Sequence, residues 1–153
     1  MGIRFTPMGW EHIDEILAIE AVSFPTPWSR QSFLHELSDN DLACYVVALD
    51  GDKVAGYAGM WIIIDEAHLT NVAVHPDYRG RGIGARLLEE LLERAVKLGA
   101  ERMTLEVRVS NQAARHLYTR MGFRPMGLRK GYYTDTREDA VIMWKENIGT
   151  SAG

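Results

Sequence analysis

The sequence predicts an α+β domain, a mixed and mostly antiparallel central sheet flanked by helices in the order β-α-α-β-β-β-α-β-α-β-β. Three observations carry this. Two runs rich in β-branched and aromatic residues, Ala43 to Leu49 and Val54 to Ile64, are joined by Asp50-Gly51-Asp52-Lys53, a hairpin signal. Leu87, Leu88, Leu91, Leu92, Ala95, Val96 and Leu98 form the apolar stripe of one long helix. That helix lies between two strand patterns, Ala67 to Val74 and Arg102 to Val107, so a single crossover can join parallel strands.

The remaining elements follow from local chemistry. Ile3 to Thr6 reads as a short first strand, and Ile13, Ile16, Leu17 and Val22 predict a helix from Trp10 to Ala21 that Pro25 and Pro27 stop. Ser29 is the expected N-cap of a second helix carrying Phe33, Leu34 and Leu37, and residues 38–41 break it. In the third strand of the meander, Leu69, Asn71 and Ala73 alternate with Thr70, Val72 and Val74. Gly99 suits the C-terminal end of the long helix, which is expected from Ile83 to Leu98. Gln112 to Met121 predicts a helix closed by Gly122, and Phe123 to Leu128 with Asp139 to Lys145 predict two last strands around a polar loop.

With 153 residues, 46% of them apolar, the chain can bury roughly 70% of its unfolded surface, and residues 1–148 are expected to form one domain with a frayed tail at 149–153. Seventeen Lys and Arg against 21 Asp and Glu give a net charge of −4, which disfavours a protein that binds nucleic acid by neutralising phosphates. One cysteine, Cys44, cannot form an internal disulfide; it reads as a small apolar strand residue in a reducing compartment, and a cytoplasmic location is expected. Apolar runs such as Met60 to Ile64 fall far short of the ~20 residues of a membrane span, and Met1-Gly2-Ile3-Arg4 is expected to open no apolar leader. The five histidines show no paired-ligand spacing, so no metal is expected.

The segment from Val74 to Ala85 leaves a strand and enters the long helix through Arg79, Gly80, Arg81, Gly82, Ile83, Gly84 and Ala85. The first N–H groups of a helix lack intrahelical partners and sit at the positive end of its dipole, and glycines let the preceding backbone curl around an anion. A diphosphate suits this site, with Arg79 and Arg81 adding charge. Gly80 to Ala85 also fits a dinucleotide-binding pattern with Glu101 downstream, but an antiparallel meander precedes it where that pattern opens a parallel sheet.

At Arg79, Gly82 and Gly84 the sequence resembles the GNAT superfamily of acyl-coenzyme-A-dependent N-acetyltransferases, whose signature is Arg/Gln-x-x-Gly-x-Gly/Ala. More narrowly, it is similar to the RimI-type branch, which acetylates the N-terminal amine of a ribosomal protein. The matching segments are Phe24-Pro25 with Pro27-Trp28-Ser29, Asn71-Val72-Ala73-Val74, Leu105-Glu106-Val107-Arg108, Asn111 with Ala113-Ala114, Leu117-Tyr118, Met121-Gly122-Phe123, Tyr132-Tyr133 and Glu138-Asp139-Ala140. The resemblance implies acetyl-CoA as the acetyl donor. Its pyrophosphate would lie on Gly80 to Ala85, its pantetheine arm along Val72, Ala73 and Val74, and Asn111 would contact it. The same resemblance implies Glu106 as general base and Tyr118 as general acid. On spacing alone, Glu106 fits a solvated strand face equally well, Tyr118 fits a core aromatic, and Asn111 fits an N-cap.

The implied chemistry needs a neutral amine. An N-terminal amine of pKa near 8 is roughly a tenth deprotonated at pH 7, far more than lysine, so a carboxylate acting through a water suffices. Phe24, Pro25 and Trp28 on one side, with Tyr132 and Tyr133 in a loop on the other, are the implied peptide contacts. Thr134-Asp135 departs from the family pattern, which often carries a proline there. Two further readings stay open: the same catalyst acting on lysine or a small amine, and a CoA- or nucleotide-binding sensor without catalysis.

Overall fold

The structure, a computed structural model, describes residues 2–149, so of the tail expected to fray only Gly149 falls within the described range. Seven strands form one sheet: β1 (Ile3–Pro7), β2 (Ala43–Asp50), β3 (Lys53–Ile63), β4 (Glu66–Val74), β5 (Arg102–Arg108), β6 (Arg124–Tyr133) and β7 (Glu138–Lys145). The helices are α1 (Ile13–Ser23), α2 (Arg30–Ser38), α3 (Ile83–Lys97) and α4 (Gln112–Arg120), which completes the expected order. Across the sheet the strands run β1-β2-β3-β4-β5-β7-β6, and only β4 and β5 are parallel neighbours, the two strands that α3 connects.

Capping fixes the helix starts. Ser29 Oγ accepts the Ser32 N–H at 3.1 Å to open α2, and Asn111 Oδ1 accepts the Ala114 N–H at 3.1 Å to open α4. The first helix differs from expectation. Trp10–His12 form a 3₁₀ turn, held by the Gly9 N–H donating to His12 Nδ1 at 2.9 Å, and α-helical geometry begins only at Ile13. Ile64, expected to end a strand, instead occupies the turn between β3 and β4 with φ 58° and is 90% exposed. β6 also runs five residues past Leu128, so Tyr132 and Tyr133 end a strand and do not sit in a loop.

Two apolar layers sandwich the sheet. Leu87, Leu88 and Leu91 of α3 and Tyr118 of α4 pack with Met60, Ala67, Leu69, Met103 and Leu105 on one face. Ile13, Ile16 and Ile19 of α1 and Phe33 of α2 pack with Tyr45, Val47, Tyr57 and Ala73 on the other. Cys44 is half-buried at the margin of the first layer, and burial raises its thiol pKa.

β4 changes phase midway. Met60 pairs with Leu69 and Gly59 with Asn71, so Thr70 is an extra residue, a β-bulge. Simple alternation predicts Leu69, Asn71 and Ala73 on one face. The bulge instead puts Val72 and Val74 with Leu69 against the α3 layer, and sends Asn71 and Ala73 to the α1 side. Just beyond His68, β4 also leaves β5: the parallel ladder has three rungs, Glu66 to Arg102, Ala67 to Met103 and His68 to Thr104. The two strands splay from there.

Candidate active site

The splay opens a cleft of about 700 Å³ that passes between the two strands. Its walls include Phe24, Pro25 and Trp28 from the α1–α2 segment, Asn71 and Val72 from β4, Glu106 from β5, Asn111 and Tyr118 from α4, and Tyr132 and Tyr133 from β6. Glu106, Tyr118, the expected peptide contacts, and Val72 and Asn111 among the expected cofactor contacts therefore converge on one space, whereas Ala73, Val74 and the loop from Arg79 to Ala85 are not part of its lining. Ala73 is buried in the α1-side layer, so any contact it offers along this edge is through its backbone.

Glu106 is 9% exposed as a side chain. Its Oε1 accepts a hydrogen bond from His68 Nε2 at 2.8 Å and a longer one from the Tyr132 hydroxyl at 3.5 Å, and Arg129 Nε lies 3.7 Å from Oε2. The His68 hydrogen bond is the main reason its pKa lies below the ordinary 4.5; burial opposes this, and Arg129 and Tyr132 assist it. Glu106 is therefore ionised at neutral pH. Tyr118 is buried with its ring edge-on to Phe123 at 5.9 Å, and its hydroxyl has no hydrogen-bond partner among the described residues. Burial pushes its pKa well above 10, which keeps the phenol protonated and able to donate.

The loop before α3 curls as an anion cradle requires. Gly80 and Gly82 have φ of 79° and 77°, and Gly82 caps α3 in the left-handed region without any side-chain cap. No acidic residue occupies the first turn of α3, so the unpaired N–H groups from Ile83 onward face no competing carboxylate on their own helix. Arg79 is already engaged: Nε donates to the Val74 carbonyl at 3.1 Å and Nη2 to Ser23 Oγ at 3.2 Å, which staples the end of β4 to the end of α1. Arg81 lies over the Tyr78 ring at 5.1 Å and makes no ion pair among the described residues. Beside the cradle, the β5-facing edge of β4 from Leu69 to Ala73 has no partner strand among the described residues, while its other edge stays paired with β3. The unpaired edge can accept an extended, amide-bearing chain as strand addition would. Cradle and edge together suit a molecule with a diphosphate at one end and two amides further along.

Three polar groups escaped the sequence reading. The sequence marks His68 only as one of five histidines without paired-ligand spacing. Glu20, 1% exposed, accepts from Asn71 Nδ2 at 3.1 Å and from the Trp28 N–H at 3.3 Å; the signal available was a charged residue on the Ile13-Ile16 face of α1. Asp135 accepts from Thr26 Oγ1 and from Arg108 Nη2, each at 2.8 Å, and so bridges the two segments expected to hold a peptide. Among the described residues no group of three His, Cys, Asp or Glu is placed to hold a metal ion, and no helix is long and apolar enough to cross a membrane.

A family profile for the acetyltransferase (GNAT) family matches residues 10–123. A Bacillus subtilis (strain 168) protein, provisionally named a ribosomal protein bS18-alanine N-acetyltransferase, is 47% identical over 137 residues, covering 90% of this chain and 91% of the relative. The Escherichia coli (strain K12) ribosomal protein bS18-alanine N-acetyltransferase is 40% identical over 127 residues, covering 82% of this chain and 84% of its own. The crystal structure of the Escherichia coli ribosomal-protein-S18-alanine N-acetyltransferase superposes with a TM-score of 0.86 at 34% identity, over 99% of this chain and 97% of that one. The match spans most of the chain, and the chain belongs to the acetyltransferase (GNAT) family.

Proposed function

We propose that this chain transfers an acetyl group from acetyl-CoA to the free α-amine at the N-terminus of a protein. The favoured acceptor is the N-terminal alanine of a small-subunit ribosomal protein, as the names of the relatives indicate. Residues 1–148 are read as one catalytic domain. The observation that carries the proposal is the convergence of Glu106 and Tyr118 on one cleft beside the anion cradle.

Acetyl-CoA bound here supplies an activated thioester. The N–H groups of Ile83, Gly84 and Ala85, the curled backbone of Gly80 to Gly82 and the Arg81 charge would hold its diphosphate. The backbone of Val72 to Val74 and the Asn111 side chain would hold its amide-bearing arm. Arg79 supports the cradle from behind through Val74 and Ser23.

Phe24, Pro25, Trp28, Tyr132 and Tyr133 would line the path of the acceptor chain, whose amine reaches Glu106 neutral. Once attack begins, the nitrogen becomes cationic and strongly acidic, so a carboxylate of low pKa is basic enough to remove its proton, directly or through one water. Tyr118 holds its proton until a developing thiolate takes it, because burial makes the phenolate costly and no group among the described residues competes for the hydrogen bond.

The test is incubation with acetyl-CoA and two peptides of one sequence, one with a free α-amine and one blocked at the terminus but bearing lysine. Mass spectrometry should find one acetyl group on the first only. Acetylation confined to the second would overturn the acceptor assignment, and acetylation of neither would overturn the peptide reading as a whole.

A further inference from the structure

The cleft contains Glu106, but the shortest hydrogen bond to that carboxylate comes from outside the residues that would meet substrate. His68 stands on the last rung of the parallel β4–β5 ladder, one step back from the splay, and shares a sheet face with Thr104 and Glu106. Its Nε2 lies 2.8 Å from Glu106 Oε1, its ring is edge-on to Trp61 at 6.4 Å, and its side chain is 32% exposed. A carboxylate can only accept, so Nε2 carries the hydrogen of this bond.

The other groups facing Glu106 come from β6. Tyr132 reaches Oε1 at 3.5 Å, Arg129 Nε stands 3.7 Å from Oε2, and Tyr133 lies within electrostatic reach. Arg129 is 55% exposed, so its pull on Oε2 is weakened by solvent. Oε1 is thus saturated by protein, and Oε2 is the oxygen left with lone pairs to offer.

We infer that His68 is a positioning residue for the base: its Nε2–H pins Oε1 of Glu106 so that Oε2 is the atom presented to the acceptor amine. The inference rests on Glu106 being the base. In the step it serves, the N–C bond forms and the C–S bond breaks. The acceptor ammonium gives up two protons in all, one ending on the thiol sulfur and one in solvent, and Oε2 takes one of them from the nitrogen. Without His68 the carboxylate is free to rotate about its side-chain bonds and to close the 3.7 Å gap between Oε2 and Arg129, and the geometry of proton removal is lost while cofactor contacts are untouched.

The experiment compares wild type, His68→Leu, His68→Gln and Glu106→Gln by steady-state kinetics and by carbon-13 NMR titration of the Glu106 carboxyl. Melting temperatures establish that each variant is folded. His68→Leu should raise the pH at which the Glu106 carboxyl titrates and leave KM for acetyl-CoA unchanged. It should lower kcat about tenfold, short of the ~100-fold expected for loss of the base itself. His68→Gln keeps an N–H donor and should recover most of kcat. A wild-type titration and wild-type kcat in His68→Leu would overturn the inference, as would equal damage by Leu and Gln with the titration unmoved. Should the titration move while neither His68→Leu nor Glu106→Gln slows the reaction, Glu106 is not the base and the reading beneath the inference falls with it. If the wild type acetylates only a lysine amine, the acceptor assignment fails separately, and the same four proteins are compared on that amine with the same criteria. Were His68→Leu to unfold, the Gln variant carries the comparison: loss of kcat there with an unmoved titration would overturn the inference.

Discussion

Asn71 Nδ2 donates to Glu20 Oε1 at 3.1 Å, which fastens the bulged strand to the helix that leads into the proposed acceptor segment. The other oxygen of Glu20 holds the Trp28 N–H, and the wholly buried Tyr57 hydroxyl faces the same carboxyl. One acid thus organises α1, β4 and the Trp28 segment.

Glu20→Ala leaves the Trp28 N–H and Asn71 amide without that partner, and should cost about 1–3 kcal/mol in denaturant unfolding and raise KM for the acceptor. Burial raises the Glu20 pKa above 4.5, so the folded state holds its proton more tightly than the unfolded state. That contribution to stability is complete below pH 4.5 and disappears as pH rises through the folded value. Unfolding at several pH values should therefore show wild type gaining on Glu20→Gln as pH falls from 8 to 4.

Asp135 behaves in the opposite sense. Its bonds with Arg108 and then Thr26 lower its pKa from 3.8 to about 2, so the stabilisation it gives is present above 3.8 and is lost as pH falls through about 2. Asp135→Asn should remove that acid-side change in an unfolding series. At pH 7 it should loosen the Thr26 bridge and raise KM for a peptide acceptor while leaving KM for acetyl-CoA unchanged.

Tyr118→Phe deletes a hydroxyl that has no hydrogen-bond partner among the described residues. Thermal stability should match wild type, and kcat should fall by about 100-fold as the leaving sulfur loses its donor. A stability loss with unchanged kcat would make Tyr118 a packing residue only.

Two glycines of the cradle should separate. Gly82 has φ 77°, so Gly82→Ala forces a left-handed residue costing about 1–2 kcal/mol and should weaken acetyl-CoA binding in calorimetry. A Cβ on Gly84 would meet Leu117 and Val74 at 3.6 and 3.7 Å, ordinary contact distances, so Gly84→Ala should preserve the fold and gain up to ~1 kcal/mol of helix propensity.

Ile64 is a β-branched residue at φ 58° and almost fully exposed. Ile64→Gly relieves that turn without disturbing packing, and should stabilise the protein by about 1–2 kcal/mol, read as a rise in Tm.

Hairpins, caps and the α3 stripe were readable because each depends on neighbours within a few residues. Ser29, Asn111 and Gly82 each open a helix where their local chemistry places it. Glu106 and Tyr118 depend on family resemblance, since a strand carboxylate or helix tyrosine has no local signature of its role, whereas the cradle glycines are legible from their place between a strand and a helix. His68, Glu20 and Asp135 were missed for a different reason: their partners are 38, 51 and 27 positions away, and only the folded sheet brings them together. The phase change in β4 was also hidden, because an extra residue in one strand shows itself only in the pairing of two.

That extra residue, Thr70, has an evolutionary corollary. Removing or adding one position between Leu69 and Asn71 would turn the downstream half of β4 over, carrying Asn71 away from Glu20 and pointing Val72 and Val74 into the wrong layer. Among homologues aligned with this chain, gaps should be purged from this short stretch and should collect instead in the polar connection between Thr134 and Arg137.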